Sequence, residues 1–113
     1  MKPVVLWLIT VAAACSPSGS SCPNDLPTSC PSPAPSYQSA IAALILERCQ
    51  TCHSPGGQEA SVPLVTYQDV FAERSPMLNQ VYACNMPPSG APQLSFQERN
   101  QLLTWFVCGA PSN

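Results

Sequence analysis

The 113-residue chain has few charged side chains. Four basic and six acidic residues make up 9% of it, against about 25% in ordinary soluble domains. Lys2 is the only lysine and His53 the only histidine. The net charge of −2 excludes the basic footprint that nucleic-acid binding requires. The charges are also too few for a highly charged disordered chain.

The sequence also lacks an apolar run that could span a membrane. The longest, from Val4 to Ala14, has eleven residues. At about 1.5 Å per helical residue it falls well short of a hydrocarbon core of about 30 Å. It follows the positive start Met1-Lys2 and ends in small residues, which is typical of a secretory signal peptide at residues 1–14. We therefore expect an exported protein.

Cys15 directly follows the small residues at positions 12–14. This arrangement resembles the signal of bacterial lipoproteins, in which that cysteine is lipidated and becomes the mature N-terminus. The resemblance implies a lipid anchor at Cys15 and a place on the periplasmic or cell-surface side, and Ser16 favours the outer membrane. The alternative is an ordinary signal peptide cut near Ala14, which leaves Cys15 free.

Residues 15–36 are rich in proline and serine. Six of the fourteen prolines lie between Ser16 and Ser36, with Leu26 as the one large apolar residue. Such a stretch buries too little surface to offset the entropy of ordering it. Alternating prolines favour the extended polyproline II conformation. The sequence therefore predicts a tether in front of a domain.

From Tyr37 onward the pattern changes to short helices joined by proline-rich loops. Apolar Ile41, Leu44 and Ile45 follow the spacing of an amphipathic helix. The sequence predicts helices near 37–49 (capped by Ser36 or Ser39), 67–73 (Thr66), 76–83 (Ser75) and 96–107 (Ser95). No segment alternates with period two for the length of a strand. We expect an all-α domain at residues 37–113, with a core so thin that it needs staples, a metal or a cofactor.

The segment Cys49-Gln50-Thr51-Cys52-His53 has the C-x-x-C-H form of c-type haem attachment. In such a site both thiols add to the haem vinyl groups and the adjacent histidine binds the iron. His53 is the only imidazole that can do so. Three other interpretations stay open: a thioredoxin-like dithiol, which normally lies in a βαβ setting; a zinc site completed by Cys84 and Cys108; and two structural half-cystines.

A haem iron also needs its sixth position explained. After signal cleavage the only methionines are Met77, in a predicted helix, and Met86, in a loop stiffened by Pro87 and Pro88. Either residue also fits a role as gap-filler in the core.

These features together resemble the small class I cytochrome c domains. The resemblance is carried by the C-x-x-C-H segment, by Met86-Pro87-Pro88 and by a terminal helix with Leu102, Leu103 and Trp105, and it covers residues 37–108. It implies one covalent haem c, held through Cys49 and Cys52. It also implies that His53 and Met86 are the axial ligands, with Met77 as the alternative, and that the first and last helices pack across each other.

The resemblance implies a carrier of single electrons between other redox proteins, rather than an enzyme, because a His/Met-ligated iron has no open position. The alternatives are a five-coordinate haem sensor or peroxidase-like enzyme, and a haem-free lipoprotein stapled by disulfides or zinc. The lysines that surround the haem edge in mitochondrial-type relatives are absent from the mature chain. We therefore do not expect a partner that recognises a ring of basic residues on this chain.

Four cysteines remain, at positions 22, 30, 84 and 108, and they allow three pairings. We favour Cys22–Cys30 with Cys84–Cys108, because this keeps the tether and the domain separate. The second bond would anchor the methionine loop to the last helix, and in the entropy model it is worth about 3 kcal/mol.

The remaining candidates concern the surroundings of the haem. The expected apolar pocket consists of Ile41, Leu44, Leu64, Leu102 and Phe106. The possible cationic partners of the propionates are Arg48, Arg74 and Arg99, with solvated surface as the alternative. Tyr67, Tyr82 and Trp105 either contact the haem or belong to the core.

Overall fold

The fold is that of a computed structural model, which describes residues 26–113. The predicted signal peptide, the lipidation site at Cys15 and the candidate half-cystine Cys22 lie outside the described residues. Within 26–113 the chain is helical and contains no strand. The expectation of an all-α fold is confirmed for this part of the chain. None of the described helices is long and apolar enough to cross a membrane.

The first helix begins where the sequence predicts. Ser36 is its N-cap and accepts a hydrogen bond from the Ser39 N–H at 3.2 Å. Its first turn, Tyr37–Ile41, is π-helical, and helix α1 continues over Ala42–Arg48. Ile41, Leu44 and Ile45 are buried, as their spacing indicates. The helix therefore ends one residue before the C-x-x-C-H segment.

Two further helices begin with capping boxes that the sequence predicts. Helix α2, Tyr67–Ala72, is capped by Thr66, and helix α4, Phe96–Val107, is capped by Ser95. In each case the side chain of the third helical residue, Asp69 or Glu98, returns the hydrogen bond to the cap. Both predicted helix starts are confirmed. After α4 the chain turns at Gly109, whose φ of 88° lies in the left-handed region.

Helix α3 differs from the prediction at its start. It spans Arg74–Tyr82, so Ser75 is not its N-cap. Glu73 is both the last cap of α2 and the first cap of α3, which makes the two helices nearly continuous. Pro76 therefore lies within the first turn, where a residue without an N–H loses no helical hydrogen bond.

The core lies where α4 meets the first helix and α3. Helix α4 packs against the π-helical turn and against α3. The buried apolar side chains come from all four helices and from the loops between them: Ile41, Leu44, Ile45, Leu64, Val70, Val81, Leu94, Leu102, Leu103, Trp105, Phe106 and Ala110.

The C-terminal segment and the end of the predicted tether are fastened together. A disulfide joins Cys30 to Cys108. The Ser36 hydroxyl and the Gln38 N–H donate to the Asn113 carbonyl at 2.9 and 3.0 Å. Leu26 packs against the core. Residues 26–36 are thus attached to the helices at several points.

The favoured pairing of Cys22 with Cys30 and of Cys84 with Cys108 is wrong, because Cys30 is bonded to Cys108. The physical reason is that the segment before the first helix lies against the C-terminal segment, to which Ser36 and Gln38 are hydrogen-bonded. The Cα atom of Cys30 is thereby 5.0 Å from that of Cys108. Cys84 is disulfide-bonded as well, so it does not anchor the methionine loop to Cys108.

Candidate functional site

A cavity of about 440 Å³ opens between the loop after α1, helix α3 and the loop after α3. Its volume falls in the range of about 300–1,000 Å³ that is usual for ligand sites. Its walls are mostly apolar. The lining residues that the sequence selected include Arg48, Cys49, Cys52, His53, Leu64, Met77, Met86 and Leu102. The cavity therefore collects the C-x-x-C-H segment and both candidate methionines.

The loop after α1 is tightly folded, and all three motif side chains line the cavity. The N–H groups of Cys52 and His53 both donate to the Cys49 carbonyl, at 3.3 and 3.0 Å. Cys49 itself still donates to the Ile45 carbonyl of α1, at 2.9 Å. The motif is thus a helix end that turns back on itself. Both of its cysteines are free thiols.

The imidazole of His53 is oriented by a backbone carbonyl. Its Nδ1 lies 2.8 Å from the Val62 oxygen. A carbonyl oxygen can only accept, so Nδ1 carries the proton in the neutral ring and Nε2 keeps its lone pair. Metal-binding histidines typically use one nitrogen in this way to fix the other. The Leu64 N–H closes the same loop by donating to the His53 carbonyl at 2.9 Å.

Gly57 allows the loop to approach the motif. A Cβ atom at this position would lie 2.3 Å from the Cys52 carbonyl oxygen and 2.7 Å from its carbon. Neither distance is possible without moving the backbone of the motif. Two residues on, the Glu59 N–H donates to the same Cys52 carbonyl at 2.9 Å. Only glycine fits where the loop crosses Cys52.

The Cys49 thiol does not have the property expected of a redox-active C-x-x-C cysteine. Burial raises the pKa of Cys49 to about 11, with a smaller contribution from the neighbouring Cys52. Reactive C-x-x-C pairs instead lower this pKa, and they do so at a helix N-terminus. Here the motif follows a helix C-terminus, and no strand lies in the described part of the chain. The geometry argues against the thioredoxin-like interpretation.

The zinc interpretation also loses its ligands. Cys84 and Cys108 are disulfide-bonded, so neither can supply the thiolate that zinc requires. Among residues 26–113, no group of three or more histidine, cysteine, aspartate or glutamate side chains could hold a metal ion.

The two methionines occupy different surroundings, although both line the cavity. Met77 is half-buried and packs against the core. Met86 is 37% exposed and is held through its backbone, whose N–H donates to the Gln80 carbonyl at 3.2 Å. The side chain of Met86 is therefore less involved in core packing than that of Met77.

Of the three candidate arginines, only Arg48 lines the cavity. It forms an ion pair with Glu98, with Nη2–Oε1 at 3.0 Å and Nε–Oε2 at 3.2 Å. Arg74 lies on the surface with its guanidinium 3.9 Å from the centre of the Phe71 ring. Arg99 is 1% exposed and donates to Cys84 Sγ. The solvated-surface alternative is thus wrong for Arg99.

The candidate aromatic residues lie away from the cavity. Tyr67 donates from its hydroxyl to the Ala110 carbonyl at 2.8 Å, and Trp105 donates from Nε1 to the Pro111 carbonyl at 3.0 Å. Tyr82 packs against the core.

The expected apolar pocket is only partly the cavity. Leu64 and Leu102 line the cavity, whereas Ile41, Leu44 and Phe106 belong to the core without lining it.

Sequence reasoning missed the residues that support the motif. The Val62 carbonyl leaves no side-chain signal, so its role could not be read from the sequence. Gly57 did leave one, because the run Pro55-Gly56-Gly57 is typical of a tight turn. In the structure Gly56 has a φ of 86°, and Gly57 makes the close approach to Cys52. The partnership of Arg48 with Glu98 joins residues fifty positions apart, which no local pattern indicates.

No protein-family model matches the chain, and no curated protein or solved structure matches it. The case for a function therefore depends on the residues of this cavity.

Proposed function

We propose that the protein is an exported monohaem c-type cytochrome that carries single electrons between other redox proteins. Its membrane attachment would be a lipid on Cys15, on the periplasmic or cell-surface side. One observation carries the proposal: Cys49, Cys52, His53 and Met86 line a single, mostly apolar cavity. These are the four side chains that covalent attachment and two-sided ligation of one haem require.

The residues of the cavity fit that group chemically. Cys49 and Cys52 are free thiols, and each can add its S–H across one vinyl group. The Nδ1 of His53 is engaged by the Val62 carbonyl at 2.8 Å, which leaves Nε2 as the ligand atom. Haem, when bound, supplies an iron that gains or loses one electron at a time. The mostly apolar walls would favour the less charged ferrous state.

Met86 is the proposed second axial ligand. It lines the cavity and is partly exposed, and its backbone N–H is hydrogen-bonded to the Gln80 carbonyl near the end of α3. A thioether raises the reduction potential relative to a second histidine. If His53 and Met86 both ligated the iron, the site would favour electron transfer over the binding of oxygen or peroxide.

The proposal is tested by producing the mature chain in a periplasm equipped for cytochrome c maturation. We expect haem that survives acid–acetone extraction, sharp α and β bands after reduction, and the weak far-red band of methionine-ligated ferric haem. Absence of covalent haem would exclude a cytochrome. Covalent haem without the methionine band would instead indicate the five-coordinate sensor or peroxidase-like alternative.

Met86→Ala and Met77→Ala form a matched pair. Met86→Ala should abolish the far-red band and leave the covalent haem in place. Met77→Ala should keep the band and lower the stability, because Met77 packs against the core. The reverse result would assign the ligand to Met77.

A further inference from the structure

The carboxylates of the described chain fall into two groups. Asp69 and Glu98 are engaged: each is part of a capping box, and Glu98 also pairs with Arg48. The side chains of Glu47, Glu59 and Glu73 accept no hydrogen bond and form no ion pair within residues 26–113. All three of them line the cavity.

No cation of the described chain offsets these three charges fully. Residues 26–113 contain no lysine. Arg48 also lines the cavity and lies next to Glu47, but its charge is matched by the ion pair with Glu98. Arg99 is buried against Cys84, and Arg74 lies over the Phe71 ring. The opening of the cavity therefore carries an excess of negative charge.

The same opening exposes apolar surface. Met86 is 37% exposed, and Pro76, Pro88 and Pro92 are exposed residues that line the cavity with it. We call this face, with Glu47, Glu59 and Glu73, the cavity mouth. Apolar patches flanked by charges of one sign are typical of protein docking surfaces, in which the charges steer the encounter and select the partner.

We infer that the cavity mouth is the docking surface for a redox protein whose contact face is basic. The inference rests on the proposed function and adds the nature of the partner. In the exchange, one electron leaves the ferrous iron of this chain and reduces the oxidised centre of the partner, or moves in the opposite direction, and no bond is made or broken. A membrane surface is a poor occupant, because anionic lipids repel carboxylates.

The test uses the mature, haem-loaded chain in its ferrous form and two trivalent oxidants of opposite charge, tris(phenanthroline)cobalt(III) and ferricyanide. Stopped-flow mixing gives the rate constant for each at increasing salt concentration. We expect the rate with the cobalt cation to fall as salt is added and the rate with the ferricyanide anion to rise. Charge steering at a surface of this kind changes rates by about tenfold or more.

Two variants localise the effect. Glu47→Gln, Glu59→Gln and Glu73→Gln together should remove most of the salt dependence. The control adds Gln68→Glu, Gln97→Glu and Gln101→Glu to those three changes; these glutamines are exposed and lie outside the cavity. The control restores the net charge but not the carboxylates of the cavity mouth. It should therefore behave like the triple variant.

The outcomes separate the two proposals. Covalent haem with the methionine band, combined with salt-independent rates for both oxidants, would overturn the docking surface and leave the cytochrome in place. The docking surface would also be overturned if the control variant regained the salt dependence that the triple variant had lost. Net charge, rather than the cavity mouth, would then be responsible. A chain without covalent haem would contradict the proposed function itself.

Discussion

The two sides of the domain are built differently. The packed side consists of the π-helical turn, Tyr67, the end of α4 and residues 109–113. Here Tyr37 packs on Tyr67 and Trp105, with ring centres 5.0 and 5.6 Å apart. The cavity side consists of helix α3 and the loops 49–66 and 83–95. These loops are held mainly by backbone hydrogen bonds and a few side-chain bonds around an opening of about 440 Å³.

This difference shows which half of the fold is stabilised by its own side chains. On the packed side, buried side chains and a disulfide provide the stabilisation. On the cavity side, the chain turns around a space that its own side chains do not fill. Small domains of this kind usually complete such a side with a staple or a cofactor. Substitutions on one side, with stability and haem attachment measured, test this comparison.

The largest effect is expected on the packed side. Trp105 is fully buried, so Trp105→Ala should lower the free energy of unfolding by about 3–5 kcal/mol. Phe96→Ala is the matched control, since this aromatic residue of the same helix is 67% exposed and should cost little. Urea unfolding followed by circular dichroism measures both. Equal losses would contradict the assignment of stability to the packed side.

Removal of the Cys30–Cys108 disulfide ranks second. The bond spans 78 residues, and Cys30→Ser with Cys108→Ser should cost about 2–5 kcal/mol by restoring the entropy of the unfolded chain. The change lies on the packed side, so the absorption bands of covalent haem should stay as they are. Unfolding curves and spectra of the double variant, compared with the parent chain, check both statements. Loss of the methionine band would show that the two sides are coupled.

Gly57→Ala is expected to act on the cavity side. Its Cβ would collide with the Cys52 carbonyl, and overpacking of this kind costs about 1–3 kcal/mol. The specific result is a lower yield of covalent haem, because the motif itself must shift. Gly56→Ala is the control: its positive φ makes it strained too, but no atom lies within 4 Å of its Cβ. If both variants lose haem equally, strain rather than the approach to Cys52 is responsible.

The smallest effect concerns pH. The hydrogen bond from Arg48, together with one from the Ser95 backbone, lowers the pKa of Glu98 below its usual value. The folded protein therefore gains stability above the pKa of the unfolded carboxyl, and loses it as the pH falls through the lower folded value. Because the pair is partly exposed, the gain is modest.

Unfolding free energies measured from neutral to acidic pH test this. Glu98→Gln should lower the stability at neutral pH and flatten the acid limb of the curve. Glu59→Gln, which removes a carboxylate without such partners, should leave the limb unchanged. An acid limb of equal steepness in the parent and Glu98→Gln would show that the Arg48 contact contributes nothing.

The sequence predicted those parts of the fold that depend on neighbouring residues. Thr66 with Asp69 and Ser95 with Glu98 are capping boxes that can be read over four positions, and both helices begin there. The start of α3 was misread for an equally local reason. Ser75-Pro76 is a common helix start, but Glu73 already links α3 to α2.

The rest depends on how distant segments meet. Nothing near Cys30 or Cys108 indicates that the segment before the first helix lies against the end of α4. The same holds for Arg48 and Glu98, and for the gathering of Glu47, Glu59 and Glu73 at one opening. At the candidate site, the chemistry-bearing residues were readable from the motif. The groups that orient and surround them were not.

The hydrogen bond between His53 and Val62 has one more consequence. A ring that is held at Nδ1 by a backbone oxygen 2.8 Å away has little freedom to turn when the charge on its far side changes. Preorganised contacts of this kind need no rearrangement at the moment of reaction. In an electron carrier of the proposed kind, such a ring would add little to the reorganisation energy. The speed of exchange would then be set by the encounter with the partner rather than by movement of this ligand.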